Sequence, residues 1–230
     1  MIIWFASGNK HKKAELAAIL GATLGATITG WEMKIPSDAG LEFDPEETEL
    51  SFQGNALLKA RNLYSLVNRP GSPPPLFSPG DLIIADDSGV CVDALNGRPG
   101  VYSARYAGKE KGTAKGQGKK LSAIERNTLL LEEIGDNAVR TARFVCAMVL
   151  LFSPDRFFIA QETLEGEIVR CPHCARGTGG FGYDPIMFIP ELNRTVAELS
   201  EEEKNTISHR GKAGKIIASI IPSLIPSINQ

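Results

Sequence analysis

The chain has 230 residues, 43% of them apolar and 23% charged, and its 25 Lys and Arg against 27 Asp and Glu leave a net charge of −2. A chain of this length buries a sizeable core without disulfides or metals, and its composition excludes a disordered polyelectrolyte. The near-neutral balance excludes a sequence-independent nucleic-acid coat protein. It leaves open a small polyanion held by a few local cations.

The apolar run Ile2 to Ala6 reads as a buried strand that ends at Ser7-Gly8-Asn9. It has no basic segment before it and is too short for a signal peptide or a spanning helix. The later run Phe144 to Phe152 is also too short to cross a membrane. From Lys12 the apolar residues Leu16, Ile19 and Leu20 share one helical face, with Gly21 as the expected stop. A strand, a Gly-containing loop and a helix start aim backbone N–H groups at an anion. Ser7, Asn9 and Lys12 would complete a phosphate cradle, although no Walker A loop is present.

Pro45-Glu46-Glu47-Thr48 precedes a helix over Ser51 to Val67. It reads as an acidic complement to the helix dipole or as a source of a Mg²⁺ ligand, Glu47. Five prolines between Asn68 and Asp81 end that helix in an exposed loop. Leu82 to Ala85 reads as a buried strand running into a turn at Asp86-Asp87-Ser88-Gly89. Adjacent carboxylates there suit Mg²⁺, while an Asx-turn is the plain alternative. The Lys- and Gly-rich stretch 107–120 reads as a mobile surface loop.

Leu121 to Ile134 reads as a helix. Three strands follow, over Arg140 to Leu151, Phe157 to Leu164 and Gly166 to Arg170, and form a meander. Cys171-Pro172-His173-Cys174 is half of a zinc pattern with no second half, and reads as an exposed turn. A redox pair or a shared zinc site is the alternative. The other two cysteines are Cys91 and Cys146, and four in all is too few for a disulfide scaffold, which points to a reducing cytoplasm. The glycines of Gly177 to Pro185 permit close approach to a ligand, and Phe181 and Tyr183 offer stacking faces or core aromatics. Lys204 and Ser208-His209-Arg210 concentrate donors, as a phosphate or oxo-group surface requires or as a solvated helix start allows. A helix over Lys212 to Ile221 leads into a Pro-capped tail. No repeat or composition shift marks a boundary, so residues 1–230 read as one α/β domain with insertions near 68–82 and 108–121.

Six segments occur in order along nearly the whole chain. They are Ser7-Gly8-Asn9 with Lys12, Ser51-Phe52-x-x-Asn55-Ala56-x-x-Lys59-Ala60, and Ala85-Asp86-Asp87-Ser88-Gly89. Then come Pro99 to Gly108, Gly180 to Pro185, and Lys204-Asn205 with Ser208-His209-Arg210. Together they resemble the inosine/xanthosine triphosphate pyrophosphatase family, the Ham1-like proteins. The resemblance implies an elongated mixed β-sheet with flanking helices, two lobes, and a nucleotide-binding cleft between them. It implies hydrolysis of ITP, dITP and XTP to the monophosphate and pyrophosphate, which cleanses the nucleotide pool. It also implies Mg²⁺, for which Mn²⁺ substitutes, and a homodimer, with neither nucleic acid nor membrane as partner. By position, Glu47 and Asp87 are the metal carboxylates, and Asp87, helped by Asp86, activates water. Ser7, Asn9, Lys12, Lys59 and Ser88 contact the substrate. Phe181 stacks on the base with Gly182, Tyr183 and Asp184 beside it, and Lys204, Ser208, His209 and Arg210 finish the pocket. A binding module without turnover and a Cys-based zinc or redox protein are the rival readings.

Overall fold

The computed structural model describes residues 1–25, 27–69, 76–107 and 121–228. Residues 70–75, within the loop and insertion read near 68–82, and 108–120, nearly all of the second, lie outside the described residues. The chain forms strands β1 (Ile2–Phe5), β2 (Glu32–Lys34), β3 (Leu82–Val92), β4 (Thr141–Ser153), β5 (Arg156–Ile168), β6 (Met187–Ile189) and β7 (Arg194–Thr195). Helices are α1 (Lys10–Leu24), α2 (Phe52–Val67), α3 (Ala123–Ile134), α4 (Glu201–Ile207) and α5 (His209–Ile228). The strands form one sheet in the order β2-β1-β3-β4-β5-β6-β7. It is mixed: β1 pairs parallel with β2 and β3, while β6 pairs antiparallel with β5 and β7. This is the α/β sheet with flanking helices expected from the sequence; the three strands expected over 140–170 are the two long strands β4 and β5, and β6 and β7 follow them in the sheet without having been expected.

The chain divides into two compact units, residues 1–87, 146–162 and 209–230 in the first and 88–145 with 163–208 in the second. In the first, strand alternation sorts the apolar side chains onto two faces. Ile3, Phe5, Leu82, Ile84, Met148 and Leu150 pack with Leu16, Leu20 and Leu24 of α1 and Ile217 and Ile221 of α5. Their neighbours Trp4, Ala6, Ile83, Ala85, Val149 and Leu151 pack with Ala56, Ala60, Leu63 and Val67 of α2. Gly214 lets α5 close on α1, since a Cβ there would lie 2.9 Å from Ile19 Cγ2. In the second unit Val90, Val92, Phe144, Leu164, Ile168 and Met187 pack with Leu130, Leu131 and Ile134 of α3.

Four boundaries differ from expectation. Helix α1 passes Gly21 and stops at Gly25, because Leu24 extends the buried stripe of Leu16 and Leu20 by another turn. That burial outweighs the roughly 1 kcal/mol a mid-helix glycine costs. Helix α5 likewise runs through Pro222 to Ile228, with Ile221 buried and Leu224 packed against the same core. The two strands predicted around Gly166 are one strand, β5, and glycine is required there because a Cβ would strike Phe188 O of β6. Most consequentially, Asp86-Asp87-Ser88-Gly89 is not a turn but the middle of β3.

Gly89 sits beneath the Gly100–Arg105 segment, where a Cβ would collide with Gly100 O and Ser103 Oγ. Ser103 Oγ accepts from Val90 N at 2.9 Å and donates to Gly100 O at 2.6 Å. Gly89→Ala is therefore expected to lower unfolding free energy by about 1–3 kcal/mol through overpacking, measured by urea denaturation.

Candidate active site

Because β3 is extended, its two aspartates leave on opposite faces of the sheet. Asp86 continues the row of Leu82 and Ile84 and meets α1 and α5, while Asp87 continues the row of Ile83 and Ala85 and meets α2. Their surroundings differ accordingly. Lys12 Nζ lies 3.1 Å from both Asp86 oxygens, and Arg210 donates Nε and Nη2 to Asp86 Oδ2 at 3.1 and 3.0 Å. Arg210 Nη1 donates to Glu15 Oε2 at 2.8 Å, and the Arg210 side chain is only 1% exposed. Burial alone would raise the Asp86 carboxyl, but Lys12 and Arg210, with Lys59, outweigh it and hold the group well below the usual carboxylate range. Asp86 is thus an anionic strut that organises cations.

Asp87 has the opposite balance. Asn55 Nδ2 donates to its Oδ2 at 3.1 Å, and Lys59 Nζ lies 3.2 Å from its Oδ1. Lys59 also reaches Glu47 Oε1 at 3.0 Å, and Asn55 Oδ1 accepts from Glu49 N at 3.0 Å. Burial pushes the Asp87 carboxyl up, Glu47 and Asp86 add to the rise, and Lys59 and Asn55 offset it only in part. A buried carboxylate with a raised pKa is suited to accept a proton near neutral pH.

Glu47 and Asp87 are two hard oxygen donors drawn to one cationic group, which fits Mg²⁺ by donor chemistry. Among the described residues no three His, Cys, Asp or Glu side chains group as a metal cage. Two carboxylates match a cation whose remaining ligands are water and substrate phosphates.

The loop before α1 is built on its own side chains. Ser7 Oγ accepts from Asn9 N at 3.1 Å, and Asn9 Oδ1 caps the helix by accepting from His11 N and Lys12 N at 2.9 and 3.1 Å. The Ser7 hydroxyl hydrogen and the Asn9 side-chain NH₂ stay available as donors. Ser88 is half-buried in β3. Ser208, His209 and Arg210 are buried, so this segment is not a solvated helix start. Ser208 C-caps α4 and directly precedes the start of α5 at His209.

In the second unit a different carboxylate organises the glycine-rich segment. Asp184 Oδ2 accepts from Phe181 N at 2.8 Å and from Lys204 Nζ at 2.6 Å. Lys204 Nζ lies 4.8 Å from the centroid of the Phe181 ring, which is 44% exposed. Gly180 has φ +70°, and a Cβ there would collide with Asp184 Oδ2. Gly182 O accepts from Asn127 Nδ2 at 3.1 Å. Tyr183 is an anchor, with its ring buried and its hydroxyl donating to Ser103 O at 2.9 Å.

Two residues of the first cluster, Glu15 and Asn55, have no assigned role in the sequence reading. Asn55 lies four residues before Lys59 and shares Asp87 with it, whereas Glu15 pairs with Arg210, 195 residues away along the chain. That helical spacing is a signal that marks Asn55, and no local spacing marks Glu15.

Asp86→Asn leaves Lys12 and Arg210 without their buried counter-charge, and a loss of about 3 kcal/mol is expected at pH 7. A depressed carboxyl contributes stability above its unfolded pKa and loses it as pH falls toward the folded value. The gap between wild type and variant should therefore narrow below about pH 4, which paired denaturation curves at several pH values will show.

The sequence pattern of the Ham1 family matches residues 3–220. A dITP/XTP pyrophosphatase of Treponema denticola is 44% identical over 213 residues, covering 93% of this chain and 94% of that protein. One from Thioalkalivibrio sulfidiphilus is 44% identical over 220 residues, covering 94% and 96%. Among solved structures, a HAM1 protein from Coxiella burnetii superposes with a TM-score of 0.76 at 34% identity, covering 97% of this chain and 99% of that one. With a family-wide match and relatives of this identity along nearly its full length, the chain belongs to the Ham1 family.

Proposed function

We propose that this protein hydrolyses ITP, dITP and XTP to the nucleoside monophosphate and pyrophosphate, removing them before they enter DNA or RNA. The observation that carries the reading is the unequal pair on β3, with Asp86 neutralised by Lys12 and Arg210 and Asp87 raised beside Glu47. The names of the similar proteins support it. Residues 1–230 act as one Ham1-type catalytic domain, a homodimer in the cytoplasm, where the nucleotide pool lies. Neither nucleic acid nor membrane is a partner, and no helix among the described residues is long and apolar enough to cross a membrane.

Phosphoryl transfer needs positioning and charge neutralisation more than a covalent nucleophile. Ser7 and Asn9 donate to phosphate oxygens, and Lys12 and Lys59 supply positive charge. Glu47 and Asp87 hold Mg²⁺, or Mn²⁺ in its place, which when bound neutralises phosphate charge and lowers the pKa of water. Asp87 takes the proton of the water that attacks the α-phosphorus, so pyrophosphate leaves as one piece. Its raised pKa fits that step, and Asn55 and Lys59 fix the orientation of the carboxylate by holding one oxygen each.

The exposed face of Phe181 stacks on the purine. Lys204, already beside that ring, donates to the 6-oxo group of hypoxanthine or xanthine. Adenine presents an amino donor at that position, so donor would face donor. Unpaired polar groups of that kind reject an analogue by about 10⁴-fold. Ser88, Gly182, Tyr183, Asp184, Ser208, His209 and Arg210 complete or support the binding surfaces.

A panel of ITP, dITP, XTP, ATP and GTP with Mg²⁺, assayed separately for pyrophosphate and orthophosphate, should show pyrophosphate and monophosphate from the first three and little turnover of ATP and GTP. Orthophosphate as the first product would overturn the assignment. EDTA should abolish activity, with recovery on adding Mg²⁺ or Mn²⁺. Asp87→Asn should reduce kcat by at least about 10²-fold while the melting curve stays cooperative. Phe181→Ala should raise KM for dITP about tenfold, the scale of one lost base–aromatic stack.

A further inference from the structure

The second unit holds a group of cations remote in sequence from the motifs above. A pocket of about 230 Å³ is lined by Arg140, Arg170 and Arg176, with Glu167 as its one carboxylate and Cys174 at its wall. Arg140 is buried, and its guanidinium donates to backbone carbonyls alone: Ile168 O at 3.0 Å, Gly135 O at 3.0 Å, and Val169 O. Burial and the like charge of Arg170 press its pKa down. Among the described residues none of the three arginines forms an ion pair. A buried guanidinium answered only by carbonyls, beside two exposed ones, has an unmet demand for an anion.

Cys174 is disulfide-bonded to Cys171 across a turn at Pro172–Cys174. This bond is a poor staple, because the turn is already closed without it. Cys174 N donates to Cys171 O at 3.0 Å and Ala175 N to Pro172 O at 3.2 Å. The flanks are pinned by Val169 N to Ile186 O at 3.0 Å and Arg176 N to Pro185 O at 3.1 Å. A loop this short also gains little from closure, on the order of 2 kcal/mol. A half-buried cysteine pair that the fold does not need, opening onto a cationic pocket, has the features of a reactive site.

We propose that Cys171–Cys174 is a thiol–disulfide exchange site whose substrate is a small thiol bearing carboxylates, docked by the Arg140, Arg170 and Arg176 cluster. The thiolate of the docked molecule attacks Cys174 Sγ, the sulfur at the pocket. The Cys171–Cys174 bond breaks, a mixed disulfide forms at Cys174, and Cys171 leaves as a thiolate that takes a proton from water. A second thiol of the same class attacks the mixed disulfide, so two small thiols are oxidised to one disulfide and both cysteines are reduced. The arginines hold the carboxylates, and they favour the Cys174 thiolate that the second thiol releases at the pocket wall.

The test uses the purified full chain, acid-quenched and mapped cysteine by cysteine by alkylation and mass spectrometry. Mercaptosuccinate should open the pair about tenfold faster than uncharged 2-mercaptoethanol at low salt, after correction for thiol pKa. The advantage should fade in high salt. The double variant Arg170→Ser, Arg176→Ser leaves the buried Arg140 in place and should abolish the preference while the melting curve is kept. Cys146, buried with its thiol pushed up to about 12, serves as the unreactive internal control. Equal rates for the two thiols, a preference that survives in the double variant, or a pair alkylated before any reductant is added would each overturn the proposal.

Discussion

The arrangement of the candidate active site depends on the period of two in β3. Side chains on an extended strand alternate between faces, so two adjacent aspartates face different partners. Asp86 meets Lys12 and Arg210, and Asp87 meets Asn55 and Lys59. On a tight turn the two carboxylates would share one environment and titrate as a coupled pair. Separation by the sheet lets one remain ionised as a strut while the other rises toward a useful basicity. The same alternation divides the apolar residues into two cores, with α1 and α5 on one face and α2 on the other. Packing and chemistry are thus set by one geometric rule.

A buried carboxylate acting as an organiser appears twice. Asp86 in the first unit gathers Lys12 and Arg210, and Asp184 in the second gathers Lys204 and the Phe181 amide. Each arrangement incurs desolvation that a hydrophobic replacement would avoid. The return is position, because a cation tethered to a buried carboxylate has little freedom to drift. Lys204 is held both to Asp184 and over the Phe181 ring, which fixes the cation and the aromatic face relative to each other. The net charge of −2 conceals this entirely, since the charges that matter are local and paired.

Much of the architecture was legible in the sequence. Apolar periodicity located β1, α2, α3 and β4 to within a few residues, and α2 starts at Phe52 with Ser51 as its N-cap, one residue from the expected start. The errors share one cause, that tertiary burial overrode local punctuation. Gly21 and Pro222 signal helix ends, yet Leu24 and Ile221 lie on stripes long enough to outweigh them. Gly166 signals a break, yet it marks the close approach of β6. The Asp86 to Gly89 segment looks like a turn because its residues favour turns, and it is held extended by its place in the sheet.

The sequence by itself determined the family, because six short motifs in order are a linear property. It also named the candidate site residues. Only the tertiary structure decided how those residues divide their labour. Asn9 caps its own helix, Tyr183 anchors to Ser103, and Lys12 and Arg210 serve a carboxylate. Glu15 lies 195 residues from Arg210 along the chain, and Arg140 joins Arg170 and Arg176 beside Cys174 only after folding. The physical reason is that a pKa and a hydrogen bond depend on distance and burial in space, and neither quantity is a function of neighbours along the chain.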